Sequence, residues 1–203
     1  MEAASFFTTL LLSSIPSFFF PKNVGIRIGS LLSSIVINCI NLSSHPKLAL
    51  YSFIGHIIGD FCILRYDTEQ NFTFLHHVVT LTLSVYTLQE WQDTYLFFNG
   101  VYLLLLMEIT TPSLHLGWLF RHYGFKGFAL VFGSICLLLW EIRLITPYLV
   151  LVQLHECTDC TSAFIEISTY LLASLFLLQV YWCIKLLGVV SHAFLESWKK
   201  EVT

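Results

Sequence analysis

Two adjacent histidines, His76 and His77, sit within the apolar stretch Phe-Leu-His-His-Val-Val-Thr at 74–80. Further ionisable side chains stand in comparably apolar surroundings: His56 with Asp60, Glu108, and Glu141 with Arg143. A charged group at the centre of a bilayer costs about 3 kcal/mol on insertion scales and more in simulations, so such residues mark function or a dedicated pairing. An imidazole serves as a general base near neutral pH or accepts an acyl group, and a neighbouring carboxylate orients the ring and stabilises its charged form. His76, His77, Asp60 and Glu108 are therefore the candidate catalytic residues. His56 and Asp60 are four apart and share a helix face, as do His76 and Thr80. His77 points about 100° away from His76, which predicts that one ring reaches a cavity and the other a neighbouring helix. Glu141 and Arg143, two apart on different faces, each need a separate partner and read as structural.

Other readings of the same residues are weighed beside this one. Interhelical hydrogen bonds worth about 0.6–2 kcal/mol would satisfy a His–Asp or His–Glu pair without any chemistry. A metal held by the histidines with Asp60, Glu108 or His56 has suitable ligand types, but adjacent histidines on a regular helix diverge, so no metal is expected. A channel or proton relay would need a pore-lining charge pattern that is not seen.

The elements that must position these groups follow from composition. Of 203 residues, 56% are hydrophobic and 11% charged, and the mean hydropathy is +0.75. That balance lies outside the range of soluble domains and predicts an all-α polytopic membrane protein. At about 20 apolar residues per crossing, about seven spans fit. They read as Ala3–Phe20, Gly25–Leu42, Lys47–Leu64, Phe72–Leu88, Tyr95–Leu116, Phe128–Leu151 and Phe164–Val190, joined by short polar connectors. The first run lacks the basic leader and cleavage site of a signal peptide, and Pro16 and Pro21 look like breaks at a helix end. It is retained as an N-terminal span over 1–22, ahead of a membrane domain over 23–192 and a short cytosolic tail over 193–203.

With seven spans, Lys22, Arg27, Arg65, Arg121, Lys126, Lys199 and Lys200 fall on one side and Lys47 on the other. Basic residues collect on the cytoplasmic face, which predicts a cytosolic C-terminus and a lumenal N-terminus. Asp60, the paired histidines and Glu108 then lie at similar depth in the cytosolic half. The net charge of −3 and the lack of any basic, aromatic-interleaved tract give no support to nucleic-acid binding. Cys157 and Cys160, in the predicted lumenal loop, are spaced for a local disulfide. His155 and Glu156 lie beside them, yet a zinc site would lack its second ligand pair, so a disulfide or free thiols are expected. The sequons at Asn41 and Asn71 fall at a membrane edge and in a cytosolic loop, and neither is expected to be modified.

The element His76-His77-x-x-Thr80, followed by Asn99 and by Met-Glu-Ile-Thr-Thr-Pro at 107–112, resembles the TLC-domain family of ceramide synthases, translocation-associated membrane proteins and small TLC-domain-containing proteins. Asp60 matches an acidic residue on the preceding helix, and Arg27 with Gly-Ser-Leu-Leu-Ser-Ser resembles the start of the domain. The motif Glu108-x-Thr110-Thr111-Pro112 with Trp118-Leu-Phe-Arg121 is most similar to the small members grouped as four and five. Where ceramide synthases carry His-Asp and Ser-Asp, this chain has Met107-Glu108 and Thr110-Thr111. One carboxylate is thus kept and the other is not. A family histidine near the domain start is replaced in the region of Ser33 and Ser34.

The resemblance implies six core helices in a barrel around a lipid-accessible cavity, endoplasmic reticulum residence and a role in membrane lipid homeostasis. In an acyl-transfer reading, acyl-CoA is the co-substrate and no cofactor is needed. His56, Thr80, Asn99, Arg65 and Arg121 are the candidate substrate-binding residues, the last two at the cytosolic rim. A non-enzymatic lipid-binding, sensing or cargo-carrying protein would use the same cavity, and Thr111 favours it. The expected partners are membrane lipids, with a homodimer left open. Lys199 and Lys200 lie one position off the register of a dilysine retrieval signal.

Overall fold

A computed structural model describes residues 1–43, 45–63, 71–90, 95–157 and 160–202, and among them the chain is helical with no strand. The first apolar run forms two helices in place of one span: α1 (Glu2–Ser14) and the single turn α2 (Pro16–Phe19). Pro16 stands at the start of α2, where its missing N–H costs nothing. α3 (Lys22–Leu42) and α4 (Pro46–Ile63) follow, then α5 (Asn71–Glu90) and α6 (Tyr95–Leu106). A 3-10 turn at Met107–Thr110 joins α6 to α7 (Thr111–His122), and α8 (Lys126–His155) and α9 (Ser162–Val202) complete the chain. α9 runs on as a helix through the segment read from sequence as a tail.

Among the described residues, four helical stretches are long and apolar enough to cross a membrane: Lys22–Leu42, Asn99–His122, Lys126–His155 and Ser162–Leu195. Most of the apolar window of the last two is not covered by protein, and Leu138, Ile145, Tyr170, Leu177 and Ile184 project outward. Such surface belongs against hydrocarbon, and the chain is a membrane protein. In α4 and α5 the buried histidines and Asp60 lower the mean hydropathy, although both helices contribute to the core.

α3 packs on α4, α4 on both α5 and α6, α5 on α9, α9 on α8, and α8 on α6 and α7, which also touch α3. α1 lies against α3 and α4. Two glycine pairs at four-residue spacing permit that approach, Gly25 with Gly29 on α3 and Gly55 with Gly59 on α4, because small residues let helix backbones come close. A Cβ at Gly29 would lie 2.3 Å from the Ser13 carbonyl oxygen, and one at Gly55 would lie 2.3 Å from that of Phe6.

The 3-10 turn has a local cause. Pro112 has no N–H for the carbonyl four residues earlier and its ring crowds that carbonyl, so the helix cannot pass through unbroken. The carbonyl concerned is that of Glu108, which accepts the Thr111 N–H and, from α3, a hydrogen bond from Asn38 Nδ2 at 3.0 Å. The break is thereby tied to a neighbouring helix.

Gly55→Ala is expected to lower stability by about 1–3 kcal/mol, because α1 must shift to admit the methyl group. Nothing lies within 4 Å of a Cβ at Gly127, so Gly127→Ala serves as the control with stability unchanged or slightly raised. Thermal unfolding of both variants in detergent micelles checks the contrast.

Candidate functional site

Most of the buried ionisable groups fall in two clusters, while buried His115 on α7 stands 3.4 Å from Arg27 Nη1 on α3. In the first, Asp60 on α4 lies between two imidazoles: its Oδ1 is 3.7 Å from His56 Nδ1 and its Oδ2 is 3.7 Å from His77 Nε2. Ser30 on α3 donates to Asp60 Oδ2 at 3.4 Å. His56 Nδ1 also stands 2.9 Å from Ser13 Oγ of α1, and Ser13 Oγ stands 2.9 Å from Ser33 Oγ of α3. All six side chains are buried.

In the second cluster, the carboxylate of Glu108, set by the 3-10 turn, accepts a 2.7 Å hydrogen bond from Thr111 Oγ1. Its other oxygen lies 3.7 Å from Arg143 Nη2 on α8. Arg143 also donates to Thr110 Oγ1 and Thr111 Oγ1 and to Gln179 Oε1 on α9 at 3.5 Å. The guanidinium lies over the Trp140 ring at 5.0 Å, and Trp140 Nε1 donates to the Gln179 carbonyl at 3.0 Å. One buried cation thus joins the α6–α7 break to α8 and α9 and compensates Glu108, since neither charge is tolerable alone in a low-dielectric interior.

The two rings of the histidine pair part company. Their centroids are 5.7 Å apart; His77 turns to Asp60, while His76 meets the Trp182 ring edge-on at 5.0 Å. The Nδ1 atoms of both are buried without a hydrogen-bond partner among the described residues. Thr80 Oγ1 donates back to the carbonyls of His76 at 2.8 Å and His77 at 3.2 Å, so its hydroxyl is occupied within its own helix.

His76 and Glu108 line a narrow cavity of ≈ 20 Å³. From His76 the lining runs along α5 through Thr80, Leu83 and Ser84 to Thr87, about 16 Å at 1.5 Å per residue. Phe53, Leu105 and Leu175 are among the facing apolar walls. The result is an elongated, mostly apolar slot with an imidazole and a carboxylate near one end and the hydroxyls of Ser84 and Thr87 towards the other. The lining is chemically suited to an apolar group with a polar end near the imidazole.

Of the sequence-derived candidates, His76, Glu108 and Thr80 line this cavity, whereas His77, Asp60 and His56 form the adjoining cluster. Asn99 is half-buried on α6 and does not line the cavity, and Arg121 is exposed near the end of α7. Arg65 lies outside the described residues, as do Trp91–Asp93 of the acidic loop. Cys157 and Cys160 are joined in a disulfide. No three His, Cys, Asp or Glu side chains among the described residues stand at metal-ligating spacing. Glu141 is exposed on α8 while Arg143 is buried. Sequence reasoning assigned Arg143 a separate structural partner, and that partner is Glu108 itself. Ser13, Ser30, Ser33 and Gln179 were not singled out, because isolated hydroxyls and amides in apolar runs carry no signal of direction.

Residues 41–188 match the family model described as TLC domain. The chain belongs to the TLC-domain family. The match spans well over half of the chain and contains both carboxylates, all three histidines of the two clusters, Arg143 and Gln179. α1, α2 and nearly all of α3 precede it. No curated protein and no solved structure matches the chain.

Arg143→Met is expected to destabilise the TLC domain by about 3–5 kcal/mol, because it leaves the Glu108 carboxylate buried without its cation. Adding Glu108→Gln in the same chain should recover part of that loss. Thermal unfolding of the two variants and of the double variant forms the cycle, and an Arg143→Met protein as stable as native would sink the pairing.

Proposed function

We propose that this TLC-domain protein acts in membrane lipid homeostasis by taking an acyl chain into the α5–α6 cavity with the polar end of that chain at His76. The observation that carries this reading is a buried imidazole nitrogen without a hydrogen-bond partner among the described residues, on a ring that lines a mostly apolar cavity with a carboxylate. In acyl transfer from a thioester such as acyl-CoA, His76 would remove the proton of an incoming amine or hydroxyl, or accept the acyl group itself. Glu108, held by Arg143 and Thr111, would supply fixed negative charge beside the developing imidazolium. The proposal includes a barrel of six elements, α3, α4, α5, α6–α7, α8 and α9, which the succession of helix contacts supports.

The orientation proposed with this reading has seven membrane-embedded segments, a lumenal N-terminus and a cytosolic C-terminus in the endoplasmic reticulum or a related endomembrane. The Cys157–Cys160 disulfide supports a lumenal loop between α8 and α9, since such bonds persist in oxidising compartments. A second reading, lipid binding or carriage without turnover, is favoured by the state of Glu108. Its oxygens are engaged by Thr111 and Arg143 and neither is bonded to His76.

Lipid profiles of cells lacking the protein, or expressing the native chain, His76→Ala or Ser84→Trp at matched abundance, separate the readings. The acyl-transfer reading expects native protein to shift one acyl-lipid class and both variants to lose at least about tenfold of that effect, within the contribution usual for a positioned base. Binding without turnover expects the cavity-filling Ser84→Trp to lose the effect and His76→Ala to keep it. Identical profiles in native and null cells would overturn both.

A further inference from the structure

We propose that Ser13 of α1 is a positioning residue for the His56–Asp60–His77 group, so that the helix preceding the TLC domain match is a working part of the site. The inference deepens the lipid-site reading and rests on it for one of its two measurements.

Ser13 is fully buried, and its hydroxyl meets three groups from three helices. Its Oγ lies 3.0 Å from the Thr9 carbonyl of its own helix, 2.9 Å from Ser33 Oγ on α3 and 2.9 Å from His56 Nδ1 on α4. A hydroxyl has one proton to give and two lone pairs to receive with. The Thr9 carbonyl can only accept; Ser33 Oγ reaches it at 3.4 Å and Ser13 Oγ at 3.0 Å, so with the nearer Ser13 proton directed there the Ser13 oxygen is left to receive from His56. On the other side of His56, Asp60 Oδ1 stands 3.7 Å from the same Nδ1, and a carboxylate also only accepts. Both neighbours of Nδ1 thus offer lone pairs. That arrangement assigns the His56 proton to Nδ1 and holds the ring in one tautomer between α1 and Asp60.

Asp60 depends on this hold. Its Oδ1 has no hydrogen-bond partner among the described residues and lies 3.7 Å from His56 Nδ1. Its Oδ2 receives Ser30 and faces His77. Orientation therefore passes from Ser13 through His56 and Asp60 to His77, which sits next to the cavity histidine. The glycine contacts keep α1 from sliding: a Cβ at Gly59 would lie 2.7 Å from the Ser13 Cβ, and one at Gly29 would lie 2.3 Å from the Ser13 carbonyl oxygen.

The test uses the full chain in phosphatidylcholine nanodiscs with histidine labelled by nitrogen-15, whose imidazole shifts distinguish the two neutral tautomers. The His56 signals are assigned by their loss in His56→Asn. Ser13→Ala removes one oxygen and adds no bulk. Ser14→Ala is the control, because Ser14 bonds the Leu10 carbonyl of its own helix at 2.8 Å. Native protein and Ser14→Ala should show one His56 tautomer, and Ser13→Ala a mixture. In cells, Ser13→Ala should weaken the lipid shift about fivefold, the scale of one lost hydrogen bond, with Ser14→Ala unchanged. A Ser13→Ala spectrum coincident with native overturns the proposal, as does a mixed tautomer with an undiminished lipid shift. Native and null cells with identical lipids, combined with a His56 tautomer that still depends on Ser13, would uphold the positioning of His56 and overturn only the lipid reading.

Discussion

A guanidinium cannot be left uncompensated in hydrocarbon, and much of this structure is arranged around the one that Arg143 carries inward. Its contacts reach Glu108, Thr110 and Thr111 at the α6–α7 break, Gln179 on α9 and the Trp140 face on its own helix. Desolvating an ion costs several kcal/mol, which only good geometry and additional hydrogen bonds offset, so the three helices are held in one relative placement. Pro112 takes part by breaking the helix where Glu108 must turn towards the cavity. The Glu108 backbone carbonyl at that break also receives Asn38, so side chain and main chain of this one residue are fixed from opposite sides.

The cavity is the complement of that constraint. α5 supplies its polar end with His76 and its length with every third or fourth residue as far as Thr87, while α4, α6 and α9 provide apolar walls. Because the polar partners of Glu108 come from the α8 side, His76 shares the cavity with a carboxylate that is already engaged elsewhere. This distinguishes two roles for a histidine pair that looks symmetrical as a string of letters. His76 addresses the cavity, whereas His77 addresses Asp60 and, through it, His56 and the serines of α1 and α3. The two rings diverge from adjacent positions on α5, with Thr80 bonded to both carbonyls.

Small residues decide how near the N-terminal helix can come. Had Gly29, Gly55 and Gly59 carried side chains, α1 would stand off and the hydroxyl of Ser13 would be out of reach of His56. Close backbone approach is a usual device in membranes, where lipid tails remove the hydrophobic drive between helices and leave packing and hydrogen bonds to supply it. Here it brings a segment outside the TLC domain match into contact with that domain's buried aspartate–histidine group.

Much of this was legible in the residues themselves. A hydropathy far above the soluble range and the punctuation of Pro, Gly and charge determined a helical membrane protein, because a bilayer leaves unpaired backbone no alternative. The cost of intramembrane charge marked His56, Asp60, His76, His77, Glu108 and Arg143 as residues that need partners, and the 100° step between neighbours determined that His76 and His77 diverge. The partners themselves were decided by tertiary structure. Which helix Arg143 faces depends on rotation and depth relative to α6–α7, quantities that a one-dimensional pattern does not hold. Ser13, Ser33 and Gln179 were invisible for the same reason, since a lone hydroxyl or amide acquires direction only from what packs against it. Asn99 and Arg121 show the converse: residue type made each a plausible lipid contact, and helix rotation and position left each away from the cavity.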